Sequence, residues 1–270
     1  MHHKHNFQRA FGTFPLKGDT LATALITALD TGYRAIDTAQ LYENEKDIGD
    51  VLASSRIHRS ELLITSKVSV AQFTDAEFIP SVLKSLEDLN LDFLDILLLH
   101  WPPADGNIQP SVELLLKAKQ QGLAKHIGVS NYTSRMLKDL VAITDEPIVC
   151  NQVEFHPLLD QSTLLQAANE LGIPLSSYCS VARGKALTEP VIIDIAQQYN
   201  RAPGQIVLKW ILHKGVSVNA MSTNPKNIRA NFDIMDFDLS NVDIARIDAL
   251  TKQNYRIVDK TLVPWAPVWD

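Results

Sequence analysis

Short apolar runs alternate along this chain with longer stretches in which apolar residues recur every three or four positions. The short runs read as strands: Tyr33 to Asp37, "LLITSKV" from Leu62, "FLDILLLH" ending at His100, "HIGVSN" ending at Asn131, "IVCNQVEF" from Ile148, "PLSSYCS" from Pro174, "VSVNAMS" from Val216, and "NFDIMDF" from Asn231. Between them lie stretches of helical period. One runs from Asn44, an N-cap with Asp47 three residues on, to Ala53. Another, "FIPSVLKSLEDLNL", places Ile79, Val82, Leu83 and Leu86 on one face. Further helices are predicted over Val112 to Gln121, Ser134 to Ile143, "STLLQAANELGI", Pro190 to Tyr199, "GQIVLKWILHKG" and Asn224 to Ala230, with Gly122 and Gly172 as C-terminal breakers.

Eight strands alternating with helices in one chain of this size predict a single-domain α/β fold, the (β/α)8 or TIM barrel, over residues 11–270, preceded by a tail of residues 1–10. The other arrangement of such units, an open doubly wound sheet, carries a Gly-rich turn after its first strand; the turn here is "DTAQLY".

That pattern makes strand ends the place to look for chemistry, because the C-terminal ends of all barrel strands ring one mouth. Asp37, Lys67, His100, Asn131 and Gln152 lie at or just past such ends, and Tyr42 sits on the loop after Asp37. A carboxylate at a strand end is costly to desolvate unless paired, and Lys67 on the next strand is its natural partner. Taken alone, the pair reads equally well as structural, Tyr42 as a loop aromatic and His100 as a core histidine. Together they point to proton donation to a carbonyl. A phenol titrates near 10; an adjacent ammonium is expected to lower that value, with Asp37 holding Lys67 and His100 orienting the substrate oxygen.

A proton donor for a carbonyl needs a hydride source, and no side chain carries hydride, so a nicotinamide cofactor follows. Ser130, Asn131 and Gln152 suit a flat carboxamide, and Tyr178 offers a face for a ring. Ser222, Thr223 and the helix starting near Asn224, with Lys226 on it, suit the cofactor's phosphates, and Asn231 is a further candidate cofactor contact.

Composition narrows the partners. The net charge of −6 and pI near 5.7, without a long basic run, argue against nucleic acid. The longest apolar runs are of strand length, which argues against a membrane span, and a cytoplasmic monomer acting on a small molecule is expected. Cys150 and Cys179 lie in apolar runs and suggest neither a disulfide framework nor a zinc site. No metal is expected, and His2, His3 and His5 are assigned no function.

The motifs "GYRAIDTAQLYENE", "LLITSKV", "LLLHWP", "IGVSNY", "CNQVEFHP" and "APGQIVLKWILHKG", in this order, resemble the aldo-keto reductases over nearly the whole chain. The segments "SYCSVARGKAL" and "APVWD" look closest to the branch acting on 2,5-diketo-D-gluconate and methylglyoxal. The resemblance implies an NADPH-dependent reductase of small α-dicarbonyls or keto-sugars, with Tyr42 as general acid, Lys67 and Asp37 tuning it, and His100 orienting the substrate. It places Ser130, Asn131 and Gln152 on the carboxamide and Tyr178 under the ring. Phe14 and Trp101 would wall the substrate pocket, with Trp265 and Trp269 folding over it and Trp269 counted among the pocket residues. Three departures stand out. Met221 and Asn227 occupy positions where many members carry a Lys and an Arg on the 2′-phosphate, which admits NADH beside NADPH. Ala10 replaces a glycine in "AFGT". The N-terminal hairpin of the family is missing or much shortened. Two other readings remain: a Schiff-base lysine at Lys67, and a nicotinamide-binding barrel with a sensing or interaction role and little turnover.

Overall fold

The first stave of the sheet is β1 (Arg9–Gly12), followed by β2 (Ala35–Asp37), β3 (Leu63–Val68), β4 (Leu94–Leu99), β5 (Ala124–Ser130), β6 (Ile148–Glu154), β7 (Leu175–Tyr178) and β8 (Ser217–Ala220). In the computed structural model, which describes residues 8–270, these eight parallel strands close a barrel in chain order. β1 forms the seam, with Ala10 beside Ala35 on one flank and Asn219 on the other. His2, His3 and His5 lie outside the described residues.

The hydrophobic pattern misplaces the eighth stave. "NFDIMDF" is not a strand: α9 (Pro225–Phe232) runs into it, Phe232 packs against Tyr33 with ring centroids 4.8 Å apart, and Ile234 is buried. The strand that fills the gap is β1, whose Arg9 and Ala10 fall in the stretch expected to be tail. Arg9 is held there by a 2.5 Å bond to the Phe232 carbonyl oxygen and by stacking on the Phe232 ring. Six of the remaining helices surround the first six strands: α1 (Gly18–Thr31), α2 (Glu45–Ser54), α3 (Phe78–Leu89), α4 (Gln109–Gln120), α5 (Ser134–Ile143) and α6 (Ser162–Leu171). Then come α7 (Pro190–Gln198), α8 (Pro203–His213) and, after α9, α10 (Asn241–Asp248). Among the described residues no helix is long and apolar enough to cross a membrane.

A strand covered on both faces reads as continuous hydrophobicity, and all six residues of β4 are buried. Two details depart from the periodic reading. On α3 the buried face is Phe78, Val82, Ser85, Leu86 and Leu89, while Leu83 is exposed; Ser85 takes the inner position because its hydroxyl donates to the buried Glu45 carboxylate at 3.0 Å. Asn44 precedes α2 but does not cap it. Its side chain turns inward, donating to the Leu16 carbonyl at 2.9 Å and accepting from the Thr38 hydroxyl at 2.6 Å.

α2 approaches α3 so closely that a Cβ on Gly49 would lie 2.9 Å from the Leu89 backbone and nearer still to the Asp88 carbonyl oxygen. Backbone cannot yield as a flexible side chain does, so Gly49→Ala is expected to destabilise the protein by about 1–3 kcal/mol. Urea unfolding checks this: the variant's midpoint should fall, and an unchanged midpoint refutes the close packing.

Candidate active site

Asp37 ends β2 and lies beside Thr65 of β3, two residues before Lys67. That register brings the ammonium to the carboxylate. Lys67 Nζ donates to Asp37 Oδ1 at 2.6 Å and to the Thr38 carbonyl at 2.8 Å, and it lies 3.4 Å from the Tyr42 hydroxyl. The other Asp37 oxygen accepts from Gln152 Nε2 at 2.7 Å. Asp37 and Lys67 are both buried. Tyr42 ends a 3-10 turn, Gln40–Tyr42. Gln40 fixes that turn: its Oε1 accepts from Ser69 N at 3.0 Å, and its Nε2 donates to the Ser81 and Ser85 hydroxyls. The His100 ring meets the Tyr42 ring edge-on at 5.5 Å.

The electrostatics follow from this burial. Desolvation pulls the Lys67 ammonium down, but Asp37 and Tyr42 push it up further, so it stays charged. For Tyr42 the expected direction reverses. Lys67 does pull the phenol down, yet burial outweighs that pull and the net shift is upward, so the hydroxyl is fully protonated near neutrality. Burial, with the Lys67 charge adding to it, depresses His100 well below the usual histidine range, leaving a neutral imidazole. Its Nδ1 is buried without a partner among the described residues.

The four residues expected on a carboxamide and ring gather on the neighbouring strand ends. Ser130 lies beside Gln152, and Tyr178 beside Glu154. Within the chain they already bond to one another: the Tyr178 hydroxyl donates to Asn131 Oδ1 at 2.7 Å, and the Ser130 hydroxyl donates to the Gln152 carbonyl at 2.7 Å. One Gln152 amide hydrogen is committed to Asp37. Ser222 and Thr223 follow the C-terminal end of β8, and Lys226 lies in the first turn of α9. Asn224 caps that helix by accepting from Lys226 N at 2.9 Å. Asn231 stands apart, near the C-terminal end of α9, where its Oδ1 is 3.4 Å from the place a Cβ on Gly204 would occupy.

Beside His100 opens a cavity of about 330 Å3, lined by Leu41, Ser69, Val70, Ala71, Trp101 and Trp265. Phe14 packs tilted against Tyr42, with ring centroids 5.0 Å apart, and is 53% exposed, so it stands at the rim. Trp269 is absent from the lining. It lies behind Trp101 at 6.1 Å, pressed there by the Arg256 guanidinium 4.1 Å from its ring, and Trp265 takes the wall position. The loop residues Leu41 and Ser69 to Ala71 were not foreseen from the sequence, although they follow strand ends exactly as Tyr42 does.

The aldo/keto reductase family model matches residues 10–252. The chain belongs to that family. Methylglyoxal reductase DkgB of Yersinia pestis is 38% identical to it over 262 residues, covering 96% of this chain and 97% of that protein. A crystal structure provisionally named a 2,5-diketo-D-gluconic acid reductase B superposes with a TM-score of 0.93 at 36% identity, covering 97% of this chain and 93% of the other. The Bombyx mori aldo-keto reductase, solved in complex with NADP, gives 0.85 at 29% identity over 93% of this chain and 91% of the other. As an aldo/keto reductase the protein is an oxidoreductase, of a family that uses NADP(H).

This aldo/keto reductase holds its C-terminal segment over the mouth through two carboxylates. Glu154, wholly buried, accepts from Ile257 N at 2.7 Å, Val258 N at 2.8 Å and His156 Nε2 at 2.8 Å. Asp270 accepts from the Ser134 backbone N and hydroxyl at 2.8 and 2.6 Å, at the N-terminus of α5, where a negative charge is favoured. Glu154→Gln puts an N–H where an acceptor is needed and leaves a buried backbone N–H unsatisfied, a cost of about 1–3 kcal/mol. The variant is expected to melt earlier and to show faster hydrogen exchange confined to residues 255–270; exchange unchanged there would show that Glu154 does not anchor the segment.

Proposed function

We propose that this chain is an NADP(H)-dependent reductase of small α-dicarbonyls or keto-sugars, of the 2,5-diketo-D-gluconate or methylglyoxal type. The observation that carries the reading is Tyr42, a protonated phenol 3.4 Å from an ammonium locked on Asp37, next to His100 at a small, largely apolar cavity. When bound, a nicotinamide cofactor supplies the hydride. Ser130, Asn131, Gln152 and Tyr178 would hold its reactive end and Ser222, Thr223 and Lys226 its phosphates, with Asn231 a further contact. The chain's own residues handle the proton. The neutral His100 presents an imidazole N–H to the substrate oxygen, and Tyr42 Oη gives that oxygen its proton as negative charge develops there. Lys67 then stabilises the phenolate left behind. A cavity of about 330 Å3 favours compact carbonyl compounds. The names of the similar proteins, a methylglyoxal reductase and a 2,5-diketo-D-gluconic acid reductase B, support the same class.

The test is a paired assay of NADPH and NADH consumption over aldehydes, ketones, methylglyoxal and 2,5-diketogluconate. Turnover with the α-dicarbonyls supports the reading; tight cofactor binding with no turnover on any of them refutes it. The exposed Met221 puts no charge near the phosphate cluster. Met221→Lys is expected to lower KM for NADPH about tenfold, the value of one charge-assisted hydrogen bond of roughly 1.5 kcal/mol, and to leave KM for NADH unchanged. Equal effects on both cofactors would dissociate position 221 from phosphate recognition.

A further inference from the structure

The interior of a (β/α)8 barrel is ordinarily filled by layers of bulky branched side chains. In this chain small residues, Ala10, Ala35, Thr65, Cys150, Ser176 and Ser217, take nearly half of the lining of the lumen below the active site, and a cavity of about 470 Å3 remains there. Its outer end lies among residues at the strand starts, Gln8, Leu63 and Val149, all partly exposed. Its inner end is Asp37 and Gln152, the hydrogen-bonded pair on which Lys67 rests.

On two neighbouring strands exposure runs opposite to that of a packed lumen. On β7 and β8 the lumen-lining Ser176 and Ser217 are partly exposed, whereas Ser177 and Val218, on the other face of the same strands, are buried. The partial exposure of Cys150, inside the barrel on β6, fits the same route. Water in a roomy cavity needs polar partners along the wall; here a carboxylate, two carboxamides and three hydroxyls are spaced among the apolar walls of the space.

The reaction read above gives this space a task. Each reduction takes one proton from solvent, and Tyr42 Oη, having given its proton away, has to regain one. Its side-chain hydrogen-bond partner is Lys67 Nζ. The mouth on the other side is where substrate and cofactor sit. We propose that the lumen is a rear proton inlet, in which water entering at the strand starts protonates Asp37 and the proton reaches Tyr42 through Lys67. The proposal rests on Tyr42 being the proton donor. The steps balance without a further reactant. The Tyr42 phenolate takes a proton from the Lys67 ammonium, leaving an amine and a phenol. The amine takes a proton from the Asp37 carboxylic acid, restoring the ion pair, and Asp37 has gained that proton from a lumen hydronium, which leaves as water.

Two measurements test it. The first uses the protein saturated with NADP+, so that the mouth is filled, treated with methylmercury and mapped by peptide mass. Cys150 should carry mercury; protection of Cys150 in the full chain would show a closed floor and overturn the inlet. The second compares Ser217→Leu, which fills the lumen, with Ser217→Thr, which keeps the hydroxyl. With methylglyoxal, or whichever carbonyl of the assay panel turns over fastest, the first turnover of Ser217→Leu should run at the wild-type rate. Later turnovers should slow about tenfold, within the range proton transfer contributes to catalysis, with an enlarged solvent deuterium isotope effect, and Ser217→Thr should behave as wild type. Later turnovers at the wild-type rate would overturn the proposal, and so would a slowed first turnover, which would mean that the Leu disturbs the tetrad instead. The reading of Tyr42 fails separately, through a Tyr42→Phe variant whose first turnover is normal.

Discussion

Tyr42→Phe is expected to lower the rate of carbonyl reduction by about 10²- to 10⁴-fold, the contribution of a positioned general acid, while the fold and cofactor binding persist. The change removes one oxygen and keeps the ring, and the ring is what packs against Phe14 and His100. Lys67 keeps its two shorter bonds, to Asp37 and to the Thr38 carbonyl, so the buried charge stays paired. Rapid-mixing measurement of NADPH oxidation, with fluorescence titration of cofactor affinity, separates the two effects. A normal rate would remove Tyr42 from the acid role; lost cofactor affinity would mean that the hydroxyl serves binding instead.

Lys67→Met carries the second large effect and reaches stability as well as rate. It strands the Asp37 carboxylate in a buried site with only Gln152 as a charge-free donor, and breaking such a pair on one side costs about 3–5 kcal/mol. Asp37→Asn added to Lys67→Met removes the stranded charge and should recover most of that loss, but not the activity, because neither variant gives the Tyr42 phenolate a counter-charge. Urea unfolding and turnover, measured on both variants, check the split; a double variant as unstable as the single one would argue that geometry, not charge, holds these strand ends. The pH dependence has a definite sign. Lys67 is shifted upward in the folded chain, so its contribution is complete below the ordinary lysine value of about 10.4 and is lost as pH rises through the folded value. Wild-type stability should therefore fall more steeply in alkali than that of the double variant.

Much of this site can be read from the sequence because its parts obey one rule of position. Asp37, Lys67, His100, Asn131 and Gln152 each lie at or near the end of an apolar run, and a barrel brings such ends together. The rule is silent where the run is too short. "RAFG" offers only four residues, two of them half-buried, and β1 is recognised from its pairing on both flanks rather than from its pattern. It also misleads at "NFDIMDF", where alternation reflects packing of a helix end and a loop against Tyr33 and Arg9. The wall position of Trp265 belongs to a segment without periodicity, held by Glu154 and Asp270 from distant parts of the chain. The direction of the Tyr42 shift is hidden for another reason. Composition names the neighbours of a phenol, but the desolvation that outweighs Lys67 is known only once the depth of the site is known.

The seam strand and the C-terminal segment also bear on where this protein can be cut. Trimming the chain to the matched span, residues 10–252, would delete the Arg9 guanidinium that bridges to Phe232 and the whole stretch carrying Trp265 and Asp270. Such a shortened enzyme would lack both a stave fastening and one wall of the cavity beside His100, so truncations that remove Arg9 or the C-terminal segment reach the site itself.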